Sequence, residues 1–348
     1  MLKKFSDNLK NFFVKFKEIN KISNKKPRFI FYSENLAYLK YGYSLIEHLS
    51  KKYPGEVYYV SSDVNDKLLN LNVINIYIGQ GFLLHYFFKR VVTDNLFMTL
   101  TDLNNDIIKR NNFVKNYIYF FHGAVSTTRI YTSTAFDNYD TILCNGDYQI
   151  NEIRQREKIE NLKEKKLIKS GFFYFDYLKS KIDGIHNSNE ILVAPSWNKN
   201  RLNFINEDFE EILANLLNSG HKVRFRPHPE TVKRSRNLME SYKVKFKNEN
   251  FVFDDNSENL EAMKNAKCLI TDNSGISIEY MLLFKKPVIF YSDFDKVHNE
   301  SFDKFKDLTP IEDTIKDKFG YEFNKHELNN IENIINQAIE TFDINELD

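Results

Sequence analysis

Short apolar runs, each followed by a stretch with helical spacing, recur along the chain, and this alternation limits the fold more than any other feature of the sequence. In the first half the runs are 28–32, 56–60, 74–78, 96–100, 117–121 and 141–144, with helical patterns at 37–49 and 81–91. In the second half they are 191–194, 222–226, 251–253, 268–271 and 288–291, with helical patterns at 209–217, 260–266 and 328–340. The runs are short and rich in Tyr, Phe, Ile and Val, as strands buried on both faces of a parallel sheet are. Strands that alternate with helices predict parallel sheets covered by helices. A chain of 348 residues is also too long for one ordinary core. Two doubly wound, Rossmann-like α/β domains are therefore expected. The polar, glycine-containing stretch 180–189 marks the break, giving a helix at 1–26 and domains at 27–183 and 184–348. The last helical segment is placed to pack back on the first domain.

Composition narrows the partners. Apolar residues make up 42% and charged residues 28%, the balance of a folded protein rather than a disordered one. A formal net charge of +1 gives the whole molecule no attraction for nucleic acid, which is not expected as a partner. Cys144 and Cys268 each belong to an apolar run, so they read as buried small hydrophobes and not as a disulfide. No apolar stretch approaches the roughly 20 residues needed to span a bilayer, and the N-terminus lacks the apolar core of a secretory signal. It does carry Leu2, Phe5, Leu9, Phe12, Phe13 and Phe16 at helical spacing, with Lys3, Lys4, Lys10, Lys15 and Lys17 around them. Such a basic amphipathic helix either lies among the headgroups of an anionic leaflet or packs on the body of the protein.

In doubly wound folds ligands bind at the carboxyl ends of the strands, so polar residues at those turns carry the chemistry. His122-Gly123 follows the run 117–121 directly. A histidine there either caps the strand or accepts a proton, because imidazole titrates near neutrality. Arg226-Pro227-His228-Pro229 follows the run that begins at Lys222. Its two prolines stiffen the exit, and the guanidinium fork suits phosphate oxygens. Thr271-Asp272-Asn273-Ser274-Gly275-Ile276-Ser277-Ile278-Glu279 reads strand, polar turn, helix. The hydroxyls and glycine at that helix start offer backbone N–H groups and the positive dipole end to an anion, and Glu279 could accept from ribose hydroxyls. Ser196 and Trp197 end the first strand of the second half and could shape the same pocket or simply pack. Ser33 and Glu34, at the exit of the first strand, stand with Gly123 on the acceptor side. Asp293-Phe294-Asp295 matches the D-x-D element of metal-dependent glycosyltransferases, but in a polar loop a solvated role is favoured.

In order along the chain, His122-Gly123, the Gly171–Asp176 segment, Ala194-Pro195-Ser196-Trp197, Arg226-Pro227-His228-Pro229, Thr271-Asp272 with Ser274, and the Lys286–Tyr291 run resemble the CDP-glycerol glycerophosphotransferase family of teichoic-acid synthesis. The resemblance runs from residue 117 to residue 291 and includes 135–144. It implies a GT-B type fold of two Rossmann-like domains facing a cleft, no catalytic metal and no cofactor. It also implies transfer of a glycerol or ribitol phosphate from a CDP-linked donor to a hydroxyl of a glycan or lipid-linked acceptor. By the same resemblance His122 is the base, His228 meets the donor phosphates, and Thr271, Asp272, Ser274 and Glu279 form the donor turn and helix. Arg226, Gly275, Ser277, Ser196 and Trp197 complete the expected donor side. Two departures stand out: the family commonly has a second serine where Gly275 stands and an aspartate where Glu279 stands. Ser274-Gly275 with Glu279 also resembles the uridine-nucleotide-sugar 2-epimerases. A glycosyltransferase using a nucleotide sugar, an epimerase-like enzyme, or an inactive scaffold of an envelope-polymer complex are the alternative readings. The expected location is the inner face of the cell membrane, reached through residues 1–25. The sequence leaves open whether the protein forms a homo-oligomer.

Overall fold

The computed structural model describes residues 2–106, 108–182, 184, 188–197, 204–205, 207–256, 258–293 and 296–343. The chain forms two parallel sheets. The first contains β1 (Phe29–Ser33), β2 (Val57–Ser61), β3 (Ile74–Tyr77), β4 (Thr93–Met98), β5 (Val114–Phe120), β6 (Thr141–Cys144) and β7 (Lys166–Lys169), in the order β3-β2-β1-β4-β5-β6-β7. The second contains β8 (Glu190–Val193), β9 (Lys222–Phe225), β10 (Phe251–Phe253), β11 (Ala266–Thr271), β12 (Val288–Tyr291) and β13 (Tyr321–Phe323), in the order β10-β9-β8-β11-β12-β13. Both repeat one doubly wound pattern, with strand order reversing between the first and fourth strands of each sheet.

The helices are α1 (Leu2–Lys25), α2 (Leu36–Lys52), α3 (Phe82–Arg90), α4 (Thr127–Ile130), α5 (Asp147–Ile159), α6 (Phe173–Lys179) and α7 (Glu207–Asn218), followed by α8 (Pro229–Arg234), α9 (Arg236–Lys245), α10 (Leu260–Asn265), α11 (Gly275–Phe284), α12 (Ile311–Phe319) and α13 (Ile331–Thr341).

Strands β1, β2, β6, β8 and β12 are buried along their whole length, which is why they read as unbroken apolar runs. Two strands had no such signature. Edge strand β7 has the sequence KLIK and is mostly exposed, and β13 is three residues with only Phe323 buried. Lysines on an edge strand are a common guard against further pairing. Strand β4 begins three residues earlier than its apolar run: Thr93 pairs with Val114 of β5, and its hydroxyl donates to the Pro27 carbonyl at 2.7 Å, which lets a polar residue be buried there.

The chain divides into two compact units, Met1–Gly123 with Thr132–Tyr177, and Ala124–Tyr131 with Leu178–Asp348. This differs in two ways from domains at 27–183 and 184–348. The division falls at Tyr177/Leu178, inside α6, and residues 124–131 belong to the second unit. Side-chain and backbone bonds hold that segment there: Ser126 N donates to Glu312 Oε1 at 3.0 Å, Arg129 pairs with Asp313 at 2.6 Å, and the Asn299 amide donates to the Thr128 carbonyl at 2.6 Å. The last helix also departs from expectation. Its apolar residues Ile331, Ile334, Ile335 and Ala338 are buried in the core of the second unit with Phe209, Phe225 and Tyr291, so its hydrophobic face is used there.

The first unit packs Phe31, Tyr59, Phe97, Ile118 and Phe120 into its core. The N-terminal helix belongs to this unit. Phe16 stacks on Tyr86 of α3 with centroids 4.5 Å apart, Phe12 lies 5.9 Å from Phe82, and Ile19 and Ile22 are buried. The aromatic stripe is thus split. Phe12 and Phe16 serve the fold, whereas Phe13, one position and about 100° further round, is 54% exposed.

Gly320 shows how tightly the second unit is closed. A Cβ at this position would meet the Lys316 carbonyl oxygen at 2.7 Å and the Phe290 ring at 2.7 Å. The backbone oxygen sits on α12 and cannot swing away as a flexible side chain would. Gly320→Ala should therefore lower unfolding stability by about 1–3 kcal/mol. Urea denaturation checks this, and an unchanged midpoint would mean that β12 and α12 are free to separate.

Candidate functional site

The second sheet reverses its strand order between β8 and β11, and the polar residues expected at the donor side gather at the carboxyl ends of these two strands. Thr271 donates its hydroxyl to the Ala194 carbonyl at 2.6 Å, linking the last residue of β11 to the exit of β8. Asp272 accepts from Ser196 twice, from the backbone N–H at 2.7 Å and the hydroxyl at 2.8 Å. All of these residues are buried. Thr271, Asp272 and Ser196 thus form the frame of the site rather than its open wall.

Helix α11 starts from this frame. Ser274 is its N-cap residue with extended backbone, but its side chain makes no cap bond, whereas Asn35 and His228 do cap their helices. The Ser277 hydroxyl turns back to the Ser274 carbonyl at 2.7 Å. The Ser277 N–H is taken by the Ser274 carbonyl at 3.0 Å, so it is at Gly275 and Ile276 that the helix start lacks a side-chain cap and keeps its dipole for a ligand. Space at Gly275 is tight: a Cβ there would come within 3.1 Å of the Val125 side chain, so a second serine would press on the 124–131 segment unless Val125 shifts by a few tenths of an ångström. Glu279 is buried one turn on, with the Asn259 amide 3.5 Å from its carboxylate.

The β9 exit divides into two roles. Arg226 is turned to its own protein: Nη1 lies 3.0 Å from Asp254 and Nη2 donates to the Asn256 carbonyl at 2.7 Å. Burial would raise the Asp254 carboxyl, but Arg226 and Asn256 outweigh it and hold the group below the usual range. The guanidinium, expected to meet phosphate, braces the β10 exit here. His228 caps α8, its Nδ1 accepting from Glu230 N at 3.1 Å. Its pKa is pushed down to about 4, by burial first and then by Lys296, with Glu230 opposing. Part of the side chain remains exposed. The Nδ1 bond acts in the same direction, since a nitrogen that accepts cannot hold a proton. His228 is thus neutral at pH 7, with its proton on Nε2.

Trp197 organises the centre of the cluster. Its indole stacks on His228 at 6.4 Å, receives His298 edge-on at 5.8 Å, and has the Arg234 guanidinium 5.3 Å from its ring. Lys296 and His298 come from the segment after β12 and were not singled out in the sequence. The signal that could have found them is their place beyond the carboxyl end of a strand, next to a D-x-D match that drew attention elsewhere. Asp293 of that match accepts from Lys325 N at 2.8 Å, and Phe294 and Asp295 lie outside the described residues. Among the described residues no group of three or more His, Cys, Asp or Glu could hold a metal ion.

In the first unit His122 leaves β5 against two tyrosines, with Tyr38 at 5.5 Å and Tyr41 at 6.0 Å, both edge-on. Burial pushes its pKa down to about 4. The Gly123 carbonyl accepts from the Asn145 amide at 3.0 Å, which fixes the turn. At the β1 exit the Ser33 hydroxyl donates to the Asn35 carbonyl at 2.9 Å, and burial raises the Glu34 carboxyl. Ser33 and Glu34 lie at the β1 end and His122 at the β5 end of one sheet, all at carboxyl edges.

Residues 124–304, just over half of the chain, match the family described as CDP-Glycerol:Poly(glycerophosphate) glycerophosphotransferase. No curated protein sequence matches the chain. Among solved structures, the wall teichoic acid polymerase TagF is similar with a TM-score of 0.57 at 15% identity, covering 100% of this chain and 92% of that one. A TagF variant soaked with CDPG gives 0.55 at 16% identity with the same coverage. The S. aureus MnaA–UDP structure gives 0.59 at 12% identity, covering 91% and 92%. At these identities the likeness shows the fold, an α/β architecture of two parallel-sheet domains shared with GT-B type proteins.

The state of His122 is directly testable. Its folded pKa of about 4 lies below the ordinary 6.5, so the unfolded chain takes up a proton that the folded one refuses. Its contribution to stability is present above pH 6.5 and is lost as pH falls through about 4. His122→Gln should flatten the fall of stability over that window relative to the parent, measured by urea denaturation at stepped pH. Identical slopes would mean that the imidazole is well solvated.

Proposed function

Because the chain belongs to the CDP-glycerol:poly(glycerophosphate) glycerophosphotransferase family, we propose that it transfers a glycerol or ribitol phosphate from a CDP-linked donor to a hydroxyl of a cell-envelope glycan or lipid-linked acceptor, releasing CMP. The observation that carries this reading is the cluster at the switch point of the second sheet, where Asp272, two residues before the α11 cap Ser274, holds Ser196, and the adjacent Trp197 stacks on His228 and receives His298 edge-on. A helix start without its own cap, beside donors on rigid turns, suits a diphosphate. The CDPG soaked into the TagF variant supports the choice of donor.

In the reaction the acceptor oxygen forms a bond to the phosphorus that carries the polyol, and the bond from that phosphorus to the CMP oxygen breaks. Transfer of this kind needs positioning and charge neutralisation more than covalent help. His228 presents Nε2–H to phosphate oxygen, and the α11 N–H groups share the charge. Arg226 acts through Asp254, holding the β9 turn in place. His122 takes the acceptor proton. It is unprotonated at neutral pH, as this role requires, and an anionic substrate beside it would raise its basicity. The epimerase resemblance drew on Ser274-Gly275 with Glu279, and the 3.1 Å approach of Val125 to a Cβ at Gly275 gives a separate packing reason for that glycine.

No helix among the described residues is long and apolar enough to cross a membrane. A lipid-linked acceptor would instead be met at the surface of the inner leaflet. Phe13 and Phe82, 54% and 65% exposed beside the basic α1, form the patch that would touch it.

Two experiments follow. His228→Asn keeps an acceptor for the Glu230 N–H, and so the α8 cap, but removes the imidazole. It should weaken CDP binding by about 1.5–3 kcal/mol, whereas His122→Ala should bind CDP normally and lose about 10²-fold or more in turnover. The reading fails if CDP-glycerol and CDP-ribitol are not turned over, or if both variants match the parent. For the membrane, removing residues 1–25 would strip Phe16 from Tyr86, so point changes are the cleaner test. Phe13→Ser with Phe82→Ser should lose binding to anionic vesicles without loss of folding. Retained binding would move the contact to another surface.

A further inference from the structure

We propose that the cavity between α1 and the edge strand β3 receives the phosphodiester headgroup of an anionic phospholipid. The inference rests on the membrane contact proposed above and adds to its exposed aromatic patch a polar site of defined shape. The cavity has a volume of about 270 Å³, far more than the roughly 30 Å³ share of one water. Lys21 and Lys25 of α1 line one side with Glu18 beside them, and Tyr58 of β2 and Ile74 of β3 line the other. All of these residues belong to the first unit.

The polar groups of the cavity are available to a ligand. Tyr58 is only 5% exposed, yet its hydroxyl makes no hydrogen bond among the described residues. A buried tyrosine hydroxyl ordinarily finds a partner. Its neighbours in the sheet do: Tyr59 donates to Asp66 at 2.8 Å, and Tyr32 bonds Ser62 at 2.9 Å. Asn75, also at the cavity, spends its amide on the Leu68 backbone, accepting at 2.7 Å and donating at 2.9 Å. Lys21, Lys25 and Glu18 are exposed and form no ion pair among the described residues. Two ammonium groups against one carboxylate leave one positive charge, which matches the single negative charge of a phosphodiester. The Tyr58 hydroxyl adds a directed donor for one of its oxygens.

The surroundings favour a lipid over a free anion. Val14, Glu18, Lys21 and Lys25 recur four, three and four residues apart, so they share one face of α1. Val14 is exposed, as is Phe13 beside it. Lys21 stands about 10 Å along the helix from Val14. One face thus runs from exposed apolar side chains to the charged mouth of the cavity, where Ile74 is exposed too. A free phosphate would use the lysines and leave that apolar rim in water. A phospholipid covers the rim at its acyl boundary while its headgroup reaches the lysines.

Co-sedimentation of the full chain with vesicles tests this. One set holds equal parts of phosphatidylcholine and phosphatidylglycerol; the other replaces phosphatidylglycerol by oleate at matched surface charge. Oleate has a carboxylate but no phosphodiester, and the two lysines repel the choline cation of the background lipid. The parent should prefer the phosphatidylglycerol vesicles by about 10-fold or more. Tyr58→Phe should lose most of that preference with its urea midpoint unchanged, since no protein partner is lost. Lys21→Gln should weaken binding to phosphatidylglycerol vesicles by about 10- to 100-fold. Lys17→Gln, which removes an exposed charge from the same helix outside the cavity, should cost only about 5-fold. Equal binding of the parent to both vesicles, or a Tyr58→Phe variant that keeps the preference, overturns the headgroup site and leaves the membrane contact standing. Soluble glycerophosphoglycerol bound as tightly as the vesicles would assign the cavity to a free phosphodiester and overturn the lipid. A parent that binds neither vesicle overturns the membrane contact and this inference together.

Discussion

Asp272 lies buried at the end of β11 and accepts both the N–H and the hydroxyl of Ser196, tying the exit of β11 to the exit of β8 where the strand order of the second sheet reverses. A buried carboxylate without such donors would be costly, and its acceptor capacity is satisfied only if both strands end in register. The Thr271 bond to Ala194 sets that register one residue earlier. From this pair of links the rest of the site follows. The β8 exit brings Trp197 beside His228 and His298, and the β11 exit delivers the Ser274-Gly275 start of α11. The polar residues of the turn thus divide between those that build the frame and those that remain for a ligand.

Charge in this site is distributed in an unusual way. His228 is held neutral by burial, Lys296 and its own cap bond, and Arg226 is engaged by Asp254. Histidine and arginine, the residues whose chemistry most readily suggests phosphate binding, are here a neutral donor and a brace. Among the described residues, that leaves the α11 N–H groups, with Arg234 beside Trp197 and Lys296 acting on His228, as positive groups around the cluster.

Much of this was legible in the sequence because it was written in hydrophobicity. Strands such as β6 and β12 coincide with their apolar runs to the residue, since burial on both faces leaves no room for polar side chains. The edge strands β7 and β13 escaped because one side of an edge strand faces water and selects lysine and glutamate. The motif residues Ser196, Trp197, His228, Asp272 and Ser274 were recognised, and they do lie at one end of one sheet. Their division of labour was not legible, because whether Arg226 faces a ligand or Asp254 is a matter of rotamer and neighbour, which spacing does not encode. Lys296 and His298 were missed because they follow a strand only after several loop residues. The split of the N-terminal stripe between Phe12, Phe16 and Phe13 depends on α3, which lies more than sixty residues away in the chain.

The segment 124–131 has a consequence for how the protein could be taken apart. It is a detached piece of the second unit, flanked on both sides by chain of the first. Ser126, Thr128 and Arg129 supply partners to Glu312, Asn299 and Asp313, and Val125 closes the space over Gly275. A fragment beginning at Leu178 would therefore lack part of the wall of its own site, and no single cut yields two complete halves. Fusion, transplantation or circular rearrangement of the second unit must carry these eight residues along, spliced back in at a point where the natural chain has no end.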